Sequence, residues 1–454
     1  MVFLALILLF PLFLLSITKR VFKFLQSALR RILVSLLLCI GCAQVWAASS
    51  LAESKVADSK VIGYIASFTD MKASIDKTDL SKLTHINLSF TNPDAQGKLI
   101  DEGSMTCMPG RLGGNVSVAD VRYVVNKAQA AGVKVLASVA GGVIPECSGN
   151  WEVLLQPANR QTVVDNLIAF MEELGLDGID VDIEGVLLTD IDNAGNYTPF
   201  IQALSAQLVA RNKLLTCATA SYVGGMIPVS SIPYFDFVNI MSYDAIGPSW
   251  GPAGVQHSTY AMAVEQVNLW KNRGLTKEQL VLGVPFYGYG FGSYKSDYTY
   301  ATILADFGAD AAAKDLIGTA CAGCSYITYN GANTILAKAK LGLEQGSGIM
   351  IWELSQDAAG ENSLLKVIDS EIKQSVSSSS NASSSVASET SSSAVSSSIA
   401  SSAAAVSLVA VSSVNTGEGQ SSGSGAVNIK DLLLLSLFCV ALNVFGFLLR
   451  AEKA

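Results

Sequence analysis

Residues 178–184 read Gly-Ile-Asp-Val-Asp-Ile-Glu, and this stretch limits the possible folds more than any other part of the chain. Side chains two positions apart on a β-strand point the same way. Asp180, Asp182 and Glu184 therefore share one face, while Ile179, Val181 and Ile183 share the other. The apolar face needs a layer of helices to cover it. The acidic face needs an enclosed interior with a use for it, because burying three carboxylates in a row is costly. Successive carboxylates on such a face stand about 6–7 Å apart. They cannot all ionise easily at that spacing, so at least one pKa is expected to rise, as a general acid requires. A solvated acidic face is excluded by the strict apolar alternation. A calcium loop is imitated by Asp180, Asp182, Glu184 and Gly185, but the twelfth position is Ile191 where a bidentate Glu is needed.

The surrounding sequence supplies such an interior. Eight short apolar runs occur at 61–68, 85–90, 133–139, 178–183, 214–220, 237–243, 280–286 and 348–354. Continuous runs of this length suit strands buried on both faces. Amphipathic segments at 118–131, 159–174, 197–212, 260–273, 333–343 and 362–373 alternate with most of them. Ser117 stands as an N-cap for the first of these and Gly132 follows it, and Gly175 stops the second. Repeated strand-helix alternation argues for a parallel sheet. An open, doubly wound sheet is the alternative. Eight units in about 315 residues favour closure into an α/β fold of the (β/α)8 TIM-barrel type over 60–374.

Composition and the chain ends narrow the setting. Apolar residues make up 50% and charged residues 15%, which excludes a disordered chain and a long coiled coil. The net charge is −8, and no basic footprint for nucleic acid is present. With two His in the chain and Cys spacings unlike zinc ligands, no metal and no cofactor is expected. Residues 1–47 carry five basic and no acidic residues around two apolar runs. They end in Val45-Trp46-Ala47, a small-residue pattern suited to signal-peptidase cleavage. At the other end, 17 of the 28 residues from Ser375 to Ser402 are Ser, so no core can form there. The apolar run 432–449 with Arg450 and Lys453 beyond it reads either as a transmembrane anchor or as a sorting signal. The expected organisation is a targeting segment at 1–47, the barrel at 60–374, a Ser-rich disordered linker at 375–430 and a tail helix at 431–454. Such a protein is exported, placed outside the cytoplasmic membrane, and tethered to membrane or cell surface through its tail.

The acidic strand resembles the D-x-x-D-x-D-x-E signature of the family-18 glycoside hydrolases, the chitinases and their relatives, with Asp177, Asp180, Asp182 and Glu184 at its four positions. Met241-Ser242-Tyr243-Asp244 is similar to the family's M-x-Y-D on the sixth strand. Ser138-Val139-Ala140-Gly141-Gly142 resembles its S-x-G-G on the third, with Ala140 where the first Gly is usual. Gly63-Tyr64, the segment from Asn87 to Phe90, and Trp352-Glu353 also match, in the family's order, over about residues 60–370.

The resemblance implies a chitinase, expected to be monomeric, that hydrolyses β-1,4 bonds in chitin or chitooligosaccharide. Substrate assistance is an established trait of this family, not a deduction from these residues. Glu184 would protonate the glycosidic oxygen, and Asp182, sharing a proton with Asp180, would support the substrate's acetamido group. Tyr243 would hydrogen-bond the acetamido carbonyl. Trp352 would form the floor of the cleaved sugar's subsite, with Tyr64, Phe90, Met241, Asp244 and Trp250 lining the groove and Tyr287 as a further platform. Asp177 is expected to brace a turn. Cys107 and Cys147 are placed to pair, as are Cys321 and Cys324, and Cys217 reads as a buried thiol. His85 and His257 have no assigned role. The 287–347 segment is expected to hold at most a small insertion, leaving a shallow groove. An endo-β-N-acetylglucosaminidase acting on N-glycans shares the same chemistry and is the alternative. A non-catalytic chitin-binding lectin is a third reading, opposed by the presence of Glu184.

Overall fold

The structure is a computed structural model that describes residues 59–385. Eight parallel strands form its centre: β1 (Lys60–Ala66), β2 (His85–Thr91), β3 (Lys134–Gly141), β4 (Gly178–Ile183), β5 (Leu214–Thr219), β6 (Phe237–Ile240), β7 (Leu280–Pro285) and β8 (Gly348–Trp352). Each pairs with its neighbours in chain order, and β8 pairs back to β1, which closes the barrel. The eight apolar runs are these eight strands. Closure leaves no unpaired edge. It also fixes a register in which Asp180 lies opposite Ser138 on β3 and Thr216 on β5.

The outer layer contains α1 (Met71–Lys77), α2 (Val118–Ala130), α3 (Arg160–Leu174), α4 (Gly185–Asn193), α5 (Tyr197–Val209), α6 (Tyr260–Asn272), α7 (Ala332–Gln345) and α8 (Leu364–Ser385). Local signals set several boundaries. The Ser117 hydroxyl accepts from the Asp120 N–H at the start of α2. Gly175 ends α3 in the left-handed region at φ 68°, where a Cβ would be strained. Between β5 and β6 there is only a 3-10 turn, Val229–Tyr234, with Pro233 inside it. Ile179, Val181 and Ile183 on β4 join Val164, Leu167 and Ile168 of α3 and Phe200 and Leu204 of α5 in one buried cluster. The apolar face of the acidic strand is thus covered by helices, as the alternation requires. The carboxylate face is left to the barrel interior.

Two insertions decorate the end of the barrel where the strands finish. After β2, a three-stranded antiparallel sheet (Ile100–Asp101, Ser104–Pro109, Asn115–Ser117) carries Cys107, which is bonded to Cys147 in the loop after β3, with their Cα atoms 5.4 Å apart. Between β7 and β8, strands Tyr287–Phe291, Asp297–Thr299, Leu316–Gly318 and Tyr326–Thr328 form a four-stranded antiparallel sheet with the helix Tyr300–Phe307. The sequence concealed this sheet because strands of three to five residues are too short to show a period. Cys321 and Cys324 are bonded within it, and Cys217 is a buried thiol, as expected.

Two boundaries differ from expectation. β6 ends at Ile240 and not at 243, because the chain leaves the ladder before Asp244, whose φ is +64°. Helix α8 continues to Ser385, into the Ser-rich stretch. Among the described residues no helix is long and apolar enough to cross a membrane. The targeting segment 1–47, most of the linker and the tail 431–454 lie outside the described residues.

Ala140 sits at φ +75° with its carbonyl accepting from Asn92 Nδ2 at 3.1 Å. L-residues avoid that region by roughly 1–2 kcal/mol, which explains why a glycine is usual there. Ala140→Gly is expected to raise the unfolding free energy by about 1 kcal/mol. Chemical denaturation checks it, and an unchanged or lower midpoint would remove the strain argument.

Candidate active site

The interior face of β4 is acidic and buried. Asp180 is fully buried and receives four donors from four strands. The Tyr64 hydroxyl (2.7 Å) and Ser138 Oγ (2.8 Å) donate to its Oδ2, while Thr216 Oγ1 (2.5 Å) and Asn239 Nδ2 (3.5 Å) donate to its Oδ1. Burial pushes its pKa up, and these donors pull it back. Asp182, 3% exposed, has no such cradle, and its Oδ1 is buried without a hydrogen-bond partner. Burial first, then the charges of Glu184 and Asp180, push its carboxyl well above the usual range. Glu184 leaves the strand as the N-cap residue of α4 and is partly exposed. Burial, with the charge of Asp244, lifts it to about 7. One row of side chains thus holds a carboxyl ringed by donors, a carboxyl pushed well up by burial, and an acid poised near neutrality.

Around this row the loops that follow the strands bring the remaining groups. Tyr243 lies close enough to Asp182, Asp244 and Glu184 to feel their charges, and burial keeps its hydroxyl protonated. Room for its ring comes from Gly283 on β7, where a methyl group would meet Tyr243 Cε1 at 3.2 Å and the Ile240 carbonyl at 2.5 Å. Asp244 accepts the Tyr287 hydroxyl at 2.5 Å, and its carbonyl accepts Trp250 Nε1 at 3.1 Å. Trp352, partly exposed at the end of β8, stacks on Phe90 at 5.5 Å and 21°, and meets Tyr64 at a tilt. The Ser89–Phe90 and Trp352–Glu353 peptide bonds are cis. Two glycines at the end of β3 make space: a methyl at Gly141 would lie 2.7 Å from the Phe90 ring, and one at Gly142 would lie 2.9 Å from Glu184 Oε1.

All ten site residues singled out in the sequence belong to the barrel strands or to the loops that follow them, but Tyr64 and, outside the ten, Tyr287 differ in placement from expectation. Tyr64 is 1% exposed and serves as a donor to Asp180, not as a groove lining. Tyr287 is also buried, with its hydroxyl committed to Asp244, so it is no platform. Asp180 lies on the inward face of β4 as expected, with four donors around its carboxyl. Met241 packs with the barrel-centre cluster of Ile62, Tyr64, Phe237, Val281 and Met350. Trp250 is exposed on the rim with its ring edge against Tyr289. Asp177 braces the entry to β4 as expected, accepting from the Val135 N–H and from Gln129 Nε2, both at 2.9 Å.

Several residues were missed. Thr216 and Asn239 were concealed because only cross-strand register aims them at Asp180, and Ser138, noted in the third-strand motif, was given no role there for the same reason. Asn92 joins the end of β2 to Ala140 and accepts Trp151 Nε1 at 2.7 Å. Tyr222, exposed in the loop after β5, lies near enough to Glu184 for that charge to help raise its pKa, after burial. His85 opens β2 at the far end of the barrel, where burial lowers it to about 4. Among the described residues no cluster of His, Cys, Asp and Glu could hold a metal ion.

A closed parallel barrel whose fourth strand aims carboxylates into a groove walled by aromatic rings defines a carbohydrate-cleaving class of protein. Residues 60–357 match the family model described as glycosyl hydrolases family 18, and the chain belongs to that family. Among solved structures it is similar to the GH18 chitinase ChiB from the chitin utilization locus of Flavobacterium johnsoniae (36% identity, TM-score 0.59, 70% of this chain and 94% of that one). A chitinase from Bacteroides thetaiotaomicron is 30% identical, with TM-score 0.58, covering 69% of this chain and 96% of that one. Curated relatives include a chitinase-like effector of Moniliophthora roreri, 28% identical over 49% of this chain and 57% of that protein. A class V chitinase of Arabidopsis thaliana is 26% identical over 50% of this chain and 70% of that protein. The match therefore spans little more than half the length of the first of these.

A carboxyl raised by burial from the ordinary value of 4.5 to about 7 carries no penalty below the lower value and costs folding stability progressively as pH rises towards the upper one. Glu184→Gln removes that loss. Its melting temperature is expected to match the wild type at pH 4 and to exceed it increasingly towards pH 8. A gap that stays constant across the range would contradict the raised pKa.

Proposed function

We propose that this protein is a chitinase, hydrolysing β-1,4 bonds between N-acetylglucosamine units with retention of configuration. The observation that carries the reading is Glu184, an acid poised near neutrality by burial and by Asp244 at the head of the buried carboxylate row. General acids work best when their pKa lies near the working pH. The similarity to chitinases supports the substrate class.

In this reading Trp352, with Phe90 stacked beside it, supports the apolar face of the sugar whose bond breaks. Glu184 gives its proton to the glycosidic oxygen. The substrate's acetamido oxygen attacks the anomeric carbon, held in line by the Tyr243 hydroxyl, and an oxazolinium ion forms. Asp182 accepts the acetamido N–H. Burial pushes its carboxyl well up, and the positive charge growing beside it favours its ionised form. The proton it sheds passes to the Asp180 carboxylate, deeper on the same strand face, and returns to Asp182 once the oxazolinium ion has opened and its charge is gone. Glu184, now a carboxylate, takes a proton from water as the water opens the oxazolinium ion, which restores the acid.

Three measurements test this. Mass spectrometry of products from defined chitin oligomers, run beside a high-mannose glycoprotein, is expected to show oligomer cleavage. Release of intact N-glycan with chitin oligomers untouched would replace the chitinase reading with the glycosaminidase one. Glu184→Gln is expected to lose turnover by about 10²–10⁴-fold while still binding oligosaccharide, and a smaller loss would remove Glu184 from the acid role. Tyr243→Phe is expected to lower kcat more than it raises KM; equal changes would argue against orientation of the acetamido group.

A further inference from the structure

We infer that His257 is a positioning residue for the acid: packed behind Asp244, its imidazole keeps that carboxylate turned towards Glu184. The inference rests on the chitinase reading above and assigns a role that the motifs do not.

His257 lies in the loop before α6 and is fully buried. Its ring sits against Tyr287 and Tyr289, with centroids 5.3 and 5.4 Å away. Neither ring nitrogen has a hydrogen-bond partner among the described residues. A buried polar group left unpaired costs roughly 1–3 kcal/mol. A phenylalanine would fill the same aromatic niche without that cost, so the nitrogens need a reason. Nδ1 faces Asp244 Oδ1 at 3.5 Å, the same oxygen that accepts the Tyr287 hydroxyl. That distance is too long for a good hydrogen bond, and it acts as a dipole aimed at a charge.

The backbone holds the ring in place. The His257 N–H donates to Thr328 Oγ1 at 3.1 Å, and its carbonyl accepts the Ala245 N–H at 3.0 Å, beside Asp244. Asp244 itself sits at φ +64°, a conformation costly for a non-glycine, so its side-chain direction depends on what surrounds it. The groups facing the imidazole are Asp244 from the loop after β6, Tyr287 and Tyr289 from the inserted sheet, Lys338 from α7 and, at longer range, Asp315. Burial, then Lys338, oppose its protonation, while Asp244 and Asp315 favour it, and the balance keeps it neutral. Neutrality is the useful property. A cation against Asp244 would cancel the charge that helps keep Glu184 protonated. A neutral ring with hydrogen on Nδ1 orients and stabilises the carboxylate without cancelling it.

With only two His in the chain, ¹⁵N-histidine labelling of the full-length protein resolves His257, once a His85 variant assigns the other signal. The expected spectrum is a neutral ring protonated on Nδ1 between about pH 5 and 8. A bare Nδ1 facing Asp244 would overturn the inference, whatever the variants do. In kinetics on a soluble chitooligosaccharide, His257→Phe is expected to lower kcat about tenfold. It is also expected to move the basic limb of kcat/KM down by about half a pH unit or more, with KM little changed. His257→Asn, whose amide can donate from near the Nδ1 position, is expected to restore the limb. An unmoved limb in His257→Phe, or equal damage in both variants, makes His257 a packing residue and sinks the inference. If the Phe variant does not fold, the tautomer and the Asn variant decide. Wild-type protein that cleaves no chitooligosaccharide overturns the proposed function instead, so the two failures are separable.

Discussion

Desolvation of the carboxylates on β4 is the constraint on which the rest of this structure depends. Three acids on one strand face are tolerable only where each is handled differently, and the barrel handles them in order of depth. The deepest, Asp180, is surrounded by hydroxyl and amide donors. The middle one, Asp182, has a buried oxygen without a donor and is pushed well up. The outermost, Glu184, is partly exposed and sits near half-ionisation. A gradient of environment along a few residues of strand converts three similar side chains into three chemical functions.

That gradient needs support from outside the strand. Asp244 comes from the loop after β6, in a strained backbone conformation, and contributes the charge that helps raise Glu184. It is gripped by Tyr287 from the inserted sheet and faced by His257. His257 is in turn tied to Thr328 of that sheet, while its neighbour Ser258 accepts from the buried Lys338 of α7. The insertion between β7 and β8 therefore acts as a back wall for the acid, in addition to shaping the groove. Glycines at 141 and 142 act in the opposite sense, withholding side chains where the Phe90 ring and the Glu184 carboxylate must sit.

The barrel strands were legible because each is a separate apolar run, and burial on both faces writes itself into composition. The acidic strand was legible because its period of two survives any context. By contrast, the strands of the inserted sheet are three to five residues long and leave no period to read. Tyr64 looked like a sugar-facing aromatic. It proved to be a buried donor because β1 lies across the barrel from β4, and only closure brings its hydroxyl to Asp180. The same holds for Tyr287, whose sequence context resembles a loop platform but whose hydroxyl is spent on Asp244.

By itself the sequence determined the strand-helix alternation, the facing of Asp180, Asp182 and Glu184, and the demand that something enclose them, because periodicity and the cost of burying charge are local properties. Which groups would receive those acids was decided by tertiary structure alone. Ser138, Thr216, Asn239 and Tyr64 meet one carboxylate from four strands spread across 176 positions of chain, from Tyr64 to Asn239. Their convergence follows from cross-strand register and ring closure, and neither is encoded in any single segment.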